Sequence, residues 1–554
     1  MKKILLGNEA IVRGALESGV EFVSAYPGTP SSEIGMIFGK IAKDNGIYFE
    51  FSTNEKVALE ASIGASYSGM KCLVSMKNFG LNVASDSLMP FCYTGSKGPT
   101  VIVVADDPSC WSSGQSEQNT RAFADLAHIP ILEPSDVQEA KDFTKLAFEI
   151  SEKFKIPVIL RTTTRIAHQR APVEFGKIKS KKPRRSGQFI KDVNQFVTMP
   201  PRVLEMKDEL LAKIEKIRDF SEKSLINRID GGQGSGDYGV IVSGVSYLYV
   251  KEALRELKLD LPIFKIGIFN PLPNKKIKTF IKKFKNILIV EELEGFVERE
   301  VNVLAKEVNP KLKVLGKDVL PITRELNVEK VIFAFSKLLN KKFNIPAYIA
   351  SQSIAGKQNK ISKRFPRLCV GCPYWLIFSA VKRIAPKGTI FGGGIGCYML
   401  AGFPPHEIQD YLLDMGSSVG IAHGIKKNSN QKLITFVGDS SFFHAGIPAL
   451  INVVYNKSNP LIIIMDNRIT AMTGHQPNPG MGKTGMEEDT EEINIEDIVK
   501  AVGVKNVKTL DPKNIKELES TIKTFIDKKE VSVIIAKRIC AYWDRKLKNQ
   551  KQPL

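Results

Sequence analysis

QKLITFVGDSSFFHAGIPALINVVYNKSNPLIIIMDNRITAMTGH, residues 431–475, decides how the rest of the chain is read. The apolar run Leu433–Val437 has the length of a buried strand and stops at Gly438-Asp439. Apolar residues at helical spacing follow (Ala445, Ile447, Leu450, Val453, Val454), and a second apolar run, Leu461–Met465, stops at Asp466-Asn467. The pattern is strand, helix, parallel strand, and open α/β sheets bind ligands just beyond the carboxyl ends of such strands. Asp439 and Asn467 offer oxygen donors of the kind Mg²⁺ takes, and Mg²⁺ commonly keeps phosphate among its ligands. An ordinary βαβ unit with polar strand ends is the simpler alternative, and the remainder of the chain weighs against it.

At 554 residues the chain has room for three or four domains, each with its own core. No apolar run approaches the ~18 residues that cross a bilayer. Met-Lys-Lys-Ile-Leu-Leu turns polar at Gly7-Asn8-Glu9, too soon for the apolar part of a signal peptide. The expectation is a cytoplasmic protein with no membrane association, whose seven cysteines serve metal or catalysis rather than disulfides. Net charge is +20, densest in KIKSKKPRR (177–185). Such charge suits acidic partners, small acidic electron carriers included, or simply a solvated linker. No motif with interleaved aromatics supports nucleic-acid binding.

Residues 1–170 alternate strand and helix, with strands expected at Glu21–Ala25, Lys71–Met76, Thr100–Ala105, Ile129–Leu132 and Pro157–Arg161. The first runs into Tyr26-Pro27-Gly28-Thr29-Pro30-Ser31-Ser32-Glu33, where Gly and Pro set a loop and Thr29, Ser31 and Ser32 present hydroxyls. A helix over Glu55–Ser68 opens on an N-cap, Asn54, with Glu55 in its first turn. From 171 to 236 the pattern loosens into a basic stretch, an amphipathic segment (Pro201–Lys223) and the run Gly231–Gly236. That glycine run precedes a strand, so it reads as a flexible connector and not a dinucleotide loop. A second α/β segment, 237–345, carries strands Val240–Ser243, Ile263–Ile268 and Ile287–Val290 and reads as a spacer and assembly domain. A polar linker (Ala350–Lys363, within 346–364) leads to a third α/β domain at 365–545 and a tail at 546–554. The fold class expected is three doubly wound α/β domains.

Four cysteines fall in the third domain: Cys369 and Cys372 in a CxxC before its first helix, Cys397 after Gly392–Gly396, and Cys540 after the last strand. If strand-end loops gather at one sheet edge, the four converge. A CxxC with two remote cysteines binds either a [4Fe–4S] cluster or structural Zn²⁺, and spacing does not choose between them. Cys72, Cys92 and Cys110 are scattered and read as core or surface residues. Between the cysteines, Gly416 and Gly420 allow close backbone approach to a ligand next to Met415.

The opening stretch, with 26 residues between Ser440 and Asn467, resembles the GDG…N signature of thiamine diphosphate (ThDP) enzymes, with Ser440 in place of the third glycine. More widely, AYPGTPSSEI (25–34), NEKVALEASIGASYSG (54–69), GLNVASDSLM (80–89), VVADDPS (103–109), EQNTRAFA (117–124), EPSDVQEA (133–140), LCVGCPY (368–374), GIGCY (394–398) and GDSSFFHAG…DNRITAMTGHQPNPG resemble the α subunits of indolepyruvate:ferredoxin oxidoreductases. These belong to the 2-oxoacid:ferredoxin oxidoreductase superfamily. The resemblance implies a pyrimidine-binding domain at 1–170, a transketolase C-terminal-like domain at 237–345 and a diphosphate-binding domain at 365–545. It implies that Glu55 bonds the cofactor's aminopyrimidine ring. Gly396, Cys397, Met415, Gly416, Gly438, Asp439, Ser440, Asn467 and Ile469 would line the cofactor, with Asp439, Asn467 and Ile469 on Mg²⁺. Met415 matches the residue that bends ThDP, or is core filler. Cys369, Cys372, Cys397 and Cys540 match the family's [4Fe–4S] ligands position by position.

The implied reaction is oxidative decarboxylation of an aryl 2-oxo acid, with coenzyme A taking the acyl group and ferredoxin the electrons. Partners would be a β subunit and ferredoxin, in a hetero-oligomer built on an α dimer. Thr29, Ser31 and Arg121 are expected at the substrate carboxylate, although Arg121 equally suits a structural ion pair. His444 and His475 flank the metal loop and either move protons or are structural. Family members commonly continue into a ferredoxin-like domain, and this chain stops at Leu554, so the electron relay is expected to be shortened or completed by another polypeptide. Two rivals are a non-oxidative ThDP decarboxylase or carboligase and an inactive scaffold or regulatory subunit.

Overall fold

The computed structural model describes residues 2–112, 115–178, 187–232, 236–343 and 365–550. The chain divides into two compact units, Met1–Ile361 and Ser362–Leu554. Most of the basic stretch (179–185), residues 233–235 of the glycine run and the polar linker lie outside the described residues.

In the first unit, β1 (Lys2–Leu6) is followed by six strands: β2 (Phe22–Ala25), β3 (Tyr48–Phe51), β4 (Cys72–Lys77), β5 (Thr100–Asp106), β6 (Ile131–Leu132) and β7 (Val158–Thr163). Then come β8 (Arg170–Glu174), which pairs antiparallel with β1, and β9 (Arg228–Asp230), β10 (Tyr238–Ser243), β11 (Ile263–Ile266), β12 (Ile268–Asn270), β13 (Asn286–Val290) and β14 (Lys313–Leu315). One sheet has the order β12-β6-β7-β5-β4-β2-β3 and the other β14-β13-β10-β11-β9. The central strands are buried end to end, as TVIVVAD in β5 must be when helices cover both faces of a parallel sheet. β3 escaped sequence reading because YFEF is a short edge strand, half-buried around Glu50, with no apolar run to announce it.

Two expectations for this unit change. The strand expected over Ile263–Ile268 breaks at Gly267, and its second piece, β12, joins the first sheet antiparallel to β6. Asn227 Oδ1 holds the break by accepting from the backbone N–H groups of Gly267 and Ile268 at 2.8 and 3.0 Å. The first and second α/β segments also share one core: Val74 and Ile102 belong to the same apolar cluster as Ile241, Phe264 and Ile287. Leu210, Ile214 and Ile217 of the helix Arg202–Lys223 complete it.

In the second unit, β15 (Ile390–Gly393), β16 (Tyr411–Leu412), β17 (Leu433–Gly438), β18 (Leu461–Asp466), β19 (Asn506–Leu510) and β20 (Ser532–Lys537) form a parallel sheet of order β16-β15-β17-β18-β20-β19. Both large sheets repeat one topological move. The chain leaves β2 toward β3 on one side and leaves β4 toward β5 on the other. Likewise β15 leads one way to β16 and β17 the other way to β18. Where neighbouring strands send their loops in opposite directions, a crevice opens at their carboxyl ends. In the first unit the crevice receives Tyr26–Ser32 and Lys77-Asn78; in the second it receives Gly394–Cys397 and Gly438-Asp439.

Arg121 is not at either crevice, and the expectation that it meets substrate is corrected. Its guanidinium is 1% exposed, lies 4.8 Å from the centre of the Phe269 ring, and spends all five N–H groups inside the first unit. Nε and Nη2 donate to Glu133 at 2.6 Å each, Nη2 to Ser243 at 2.7 Å, and Nη1 to Glu291 and the Glu292 carbonyl at 3.2 and 3.1 Å. Arg161 adds bonds to Asp106 and Glu133. Burial opposes every charge in the cluster. The arginines prevail at Glu133, held below its usual range, whereas burial pushes Glu291 and Glu292 up. Because the partners lie at the end of β10 and just past β6 and β13, the network pins the two sheets together. Arg121→Met should therefore cost the unit about 3–5 kcal/mol, the penalty for stranding buried carboxylates, read as a lower denaturant midpoint. A substrate-binding Arg121 would instead leave the midpoint in place and raise KM alone.

Candidate active site

The first crevice is built around Glu55. Asn54 caps the helix Glu55–Tyr67 by accepting from the Val57 N–H at 2.9 Å, which places Glu55 at the helix start, where the dipole favours an acid. Its carboxyl lies against the first turn of the helix Asn78–Thr94. A Cβ on Gly80 would stand 2.5 Å from Glu55 Cγ and 2.8 Å from Oε1. Glycine at 80 is thus what lets the acid, itself 8% exposed, occupy this position. Gly80 had no assigned role from sequence, because nothing in GLNVASDSLM shows which distant side chain packs on it. The neighbouring loop is closely packed as well: a Cβ on Gly28 would stand 2.9 Å from Lys77 Cβ. Of the hydroxyls expected to face substrate, that of Ser31 is turned back onto the Gly28 carbonyl at 2.8 Å. Thr29 is half-buried and its carbonyl accepts from Ser112 at 3.1 Å. The Ser32 hydroxyl is buried without a partner among the described residues.

The second crevice holds a pair of acids. Asp439 accepts from the Ser440 N–H at 2.9 Å and from the Asn478 amide at 2.9 Å. Asn478 also donates to Ser440 Oγ at 3.1 Å, and that hydroxyl shares a hydrogen with Thr470 at 2.8 Å. Burial, and then the nearby Asp466 carboxylate, push Asp439 up to about 7. Two buried acids side by side, one raised by the other, favour a cation beside them, and carboxylate oxygens are the donors Mg²⁺ prefers. Asn467 is buried next to this pair, its amide oxygen accepting from the Ile469 N–H at 3.1 Å. The loops around Asp439 approach closely because glycines allow it. A Cβ on Gly396 or Gly438 would meet the Tyr398 ring at 2.5 or 3.1 Å, and one on Gly416 (φ +90°) would meet Ala445 Cβ at 2.9 Å. Met415, half-buried, precedes this last close approach. Asn478 and Tyr398 were not singled out by sequence reading, although HQPNPG and GIGCY contain them.

Cys369, Cys372, Cys397 and Cys540 are close enough to influence one another: burial first, and then the neighbouring thiols, push Cys372 and Cys397 up to about 12. Thiols of this kind are ligands for an iron–sulfur cluster or zinc. Among the described residues, however, no group of three or more Cys, His, Asp or Glu is drawn in to metal-ligating geometry. His475 Nε2 lies 3.8 Å from Cys540 Sγ, and its ring stacks on Tyr542 at 4.8 Å. Burial, helped by Lys546, lowers the His475 pKa. His444 is buried inside the π-turn Phe442–Gly446, a local widening that often marks functional sites.

A family model described as "Pyruvate flavodoxin/ferredoxin oxidoreductase, thiamine diP-bdg" matches residues 13–209. Another, "Thiamine pyrophosphate enzyme, C-terminal TPP binding domain", matches residues 394–536. The chain is 44% identical over 552 residues to indolepyruvate oxidoreductase subunit IorA of Methanothermobacter thermautotrophicus, covering 97% of this chain and 87% of the relative. It is 43% identical over 561 residues to the subunit of that name from Pyrococcus horikoshii, covering 98% and 86%. The solved 2-oxoglutarate:ferredoxin oxidoreductase from Magnetococcus marinus superposes with a TM-score of 0.51 at 19% identity, covering 61% of this chain and 65% of that one, and bears on the fold alone. Among the described residues no helix is long and apolar enough to cross a membrane.

Gly80→Ala tests the first crevice. Alanine gains up to about 1 kcal/mol of helix propensity, so the helix should persist, while the new methyl displaces Glu55. A displacement near 1 Å should lower kcat about 100-fold with the circular dichroism melt unchanged. An unaltered kcat would mean that the position of Glu55 is immaterial.

Proposed function

The chain belongs to the indolepyruvate oxidoreductase subunit IorA family of thiamine diphosphate-dependent 2-oxoacid oxidoreductases, and on that premise we propose that it oxidatively decarboxylates aryl 2-oxo acids such as indolepyruvate. The products are acyl-CoA and CO₂, with two electrons leaving, one at a time, for ferredoxin. The observation that carries this reading is a matched pair of crevices, one presenting Glu55 on Gly80 and the other presenting Asp439 beside Asp466 and Asn467.

When bound, thiamine diphosphate supplies an acidic thiazolium carbon and an electron sink. The protein's part begins with Glu55, which would hold a proton against a ring nitrogen of the aminopyrimidine. Asp439, Asn467 and the Ile469 carbonyl would hold Mg²⁺ against the diphosphate. Gly396, Cys397, Met415, Gly416, Gly438 and Ser440 would line the cofactor, the glycines letting backbone N–H groups approach the phosphates closely. Cys369, Cys372, Cys397 and Cys540 would hold a [4Fe–4S] cluster near the cofactor, and His444 and His475 would handle protons on that side. Thr29 and Ser31 border the substrate through the loop backbone. A domain plan follows, with a pyrimidine-binding segment at 1–170, a transketolase C-terminal-like segment at 237–345 and a diphosphate-binding segment at 365–545. We place the chain in the cytoplasm, in a hetero-oligomer with a β subunit built on an α dimer.

Two outcomes test the proposal. Glu55→Gln should bind ThDP as the parent does yet lose decarboxylation by at least about 100-fold, the scale of a missing acid–base group; near-parental turnover would overturn the assignment. Protein purified without oxygen should carry iron and acid-labile sulfide in the ratio of a [4Fe–4S] cluster, lost in Cys372→Ser. Stoichiometric zinc, or no metal, would contradict the electron-transfer reading and favour a non-oxidative decarboxylase.

A further inference from the structure

Once Arg121 is removed from the substrate site, the first unit has to supply some other cation for a carboxylate, and one stands at the end of β4. Lys77 is the last residue of that strand and is 7% exposed; Asn78 begins the helix Asn78–Thr94 and is 2% exposed. Both sit at the crevice between β2 and β4, beside Gly28 of the loop that carries Thr29 and Ser32. Gly80, against which Glu55 rests, is in the same helical turn.

The hydrogen bonding of these two residues is incomplete among the described residues. Lys77 Nζ makes one bond, to Asp107 at 3.3 Å, leaving two of an ammonium's three N–H groups without a partner. Asp107 by contrast is well supplied, by Thr164 at 2.6 Å and by the Ser112 N–H and hydroxyl at 2.9 and 2.8 Å. The Asn78 side chain makes no hydrogen bond among the described residues: both its amide nitrogen and its amide oxygen are buried and unpartnered there. Native proteins rarely leave such groups unsatisfied, because each costs about 1–3 kcal/mol. The helix of 17 residues that starts here adds free N–H groups and the positive end of its dipole.

We infer that Lys77 and Asn78 form the seat of the substrate's carboxylate, with the Lys77 ammonium and the Asn78 amide N–H₂ donating to its two oxygens. The inference rests on the 2-oxo acid reading above and names the residues that recognise the acid. A carboxylate there accepts from the idle Lys77 N–H groups and from the Asn78 N–H₂ together. Burial works against the charge on Lys77 ahead of the help Asp107 gives, and a second anion offsets that. The Phe79 ring, 5.1 Å from Lys77 Nζ and half-buried, puts an aromatic surface beside the seat, which suits an aryl side chain on the same acid. Ser32, whose buried hydroxyl has no partner among the described residues, is a further donor at this crevice.

The test uses the full chain with its partner subunit and ThDP, and the unreactive probe 3-phenylpropionate, followed by titration calorimetry. Asn78→Ala breaks no internal hydrogen bond, so the fold should be retained; Lys77→Met is its companion. Each should weaken 3-phenylpropionate about 10-fold or more, the scale of a lost bond to a charged group, and raise KM for phenylpyruvate more than it lowers kcat. The affinity for ThDP and for the uncharged 3-phenylpropionamide should not change. If Lys77→Met does not fold, Asn78→Ala alone decides. Parental binding of 3-phenylpropionate by Asn78→Ala would overturn the seat while leaving the 2-oxo acid reading intact. Failure of the parent enzyme to bind the probe or turn over any aryl 2-oxo acid would overturn that reading, and the seat with it.

Discussion

Asp439 and Asp466 stand at the ends of adjacent strands as two buried carboxyls; burial raises both, and the Asp466 carboxylate raises Asp439 further. Asp439 accepts from the Ser440 N–H and the Asn478 amide. Oxygens so placed are donors of the kind that Mg²⁺ takes, which supports the Mg²⁺ proposed for this crevice. The glycines at 396, 416 and 438 each bring backbone close where a side chain would collide with Tyr398 or Ala445.

The first unit repeats the same topological move with different chemistry. Its crevice lies between β2 and β4, as that of the second unit lies between β15 and β17. Where the second unit has acids for a cation, the first has one acid, Glu55, and a cation with an amide, Lys77 and Asn78, for an anion. The Arg121 network stands apart from this chemistry. It holds the two sheets of the first unit together, and its five bonds leave the guanidinium nothing to offer a substrate.

What the sequence disclosed, it disclosed through local signals. Asp439 and Asn467 were legible because each follows an apolar run of strand length, and Glu55 because Asn54 announces a helix start. The expectation that Cys369, Cys372, Cys397 and Cys540 lie near one another came from where a doubly wound sheet puts its loops. The signals that failed are those carried by partners far apart in sequence. Arg121 looks like an exposed cation until Glu291, 170 positions on, closes over it. Gly80 is silent until Glu55 is seen resting on it, and β12 reads as part of β11 until Asn227 splits the strand at Gly267.

The account stands on one claim, that the buried acid at the end of β17 anchors the metal and diphosphate of a bound cofactor. The most direct measurement is a crystal or cryo-electron microscopy structure of the assembled enzyme with ThDP and Mg²⁺. It should show Asp439 on the metal and the diphosphate against the backbone at Gly438. A cofactor bound with Asp439 remote from its metal would contradict the account.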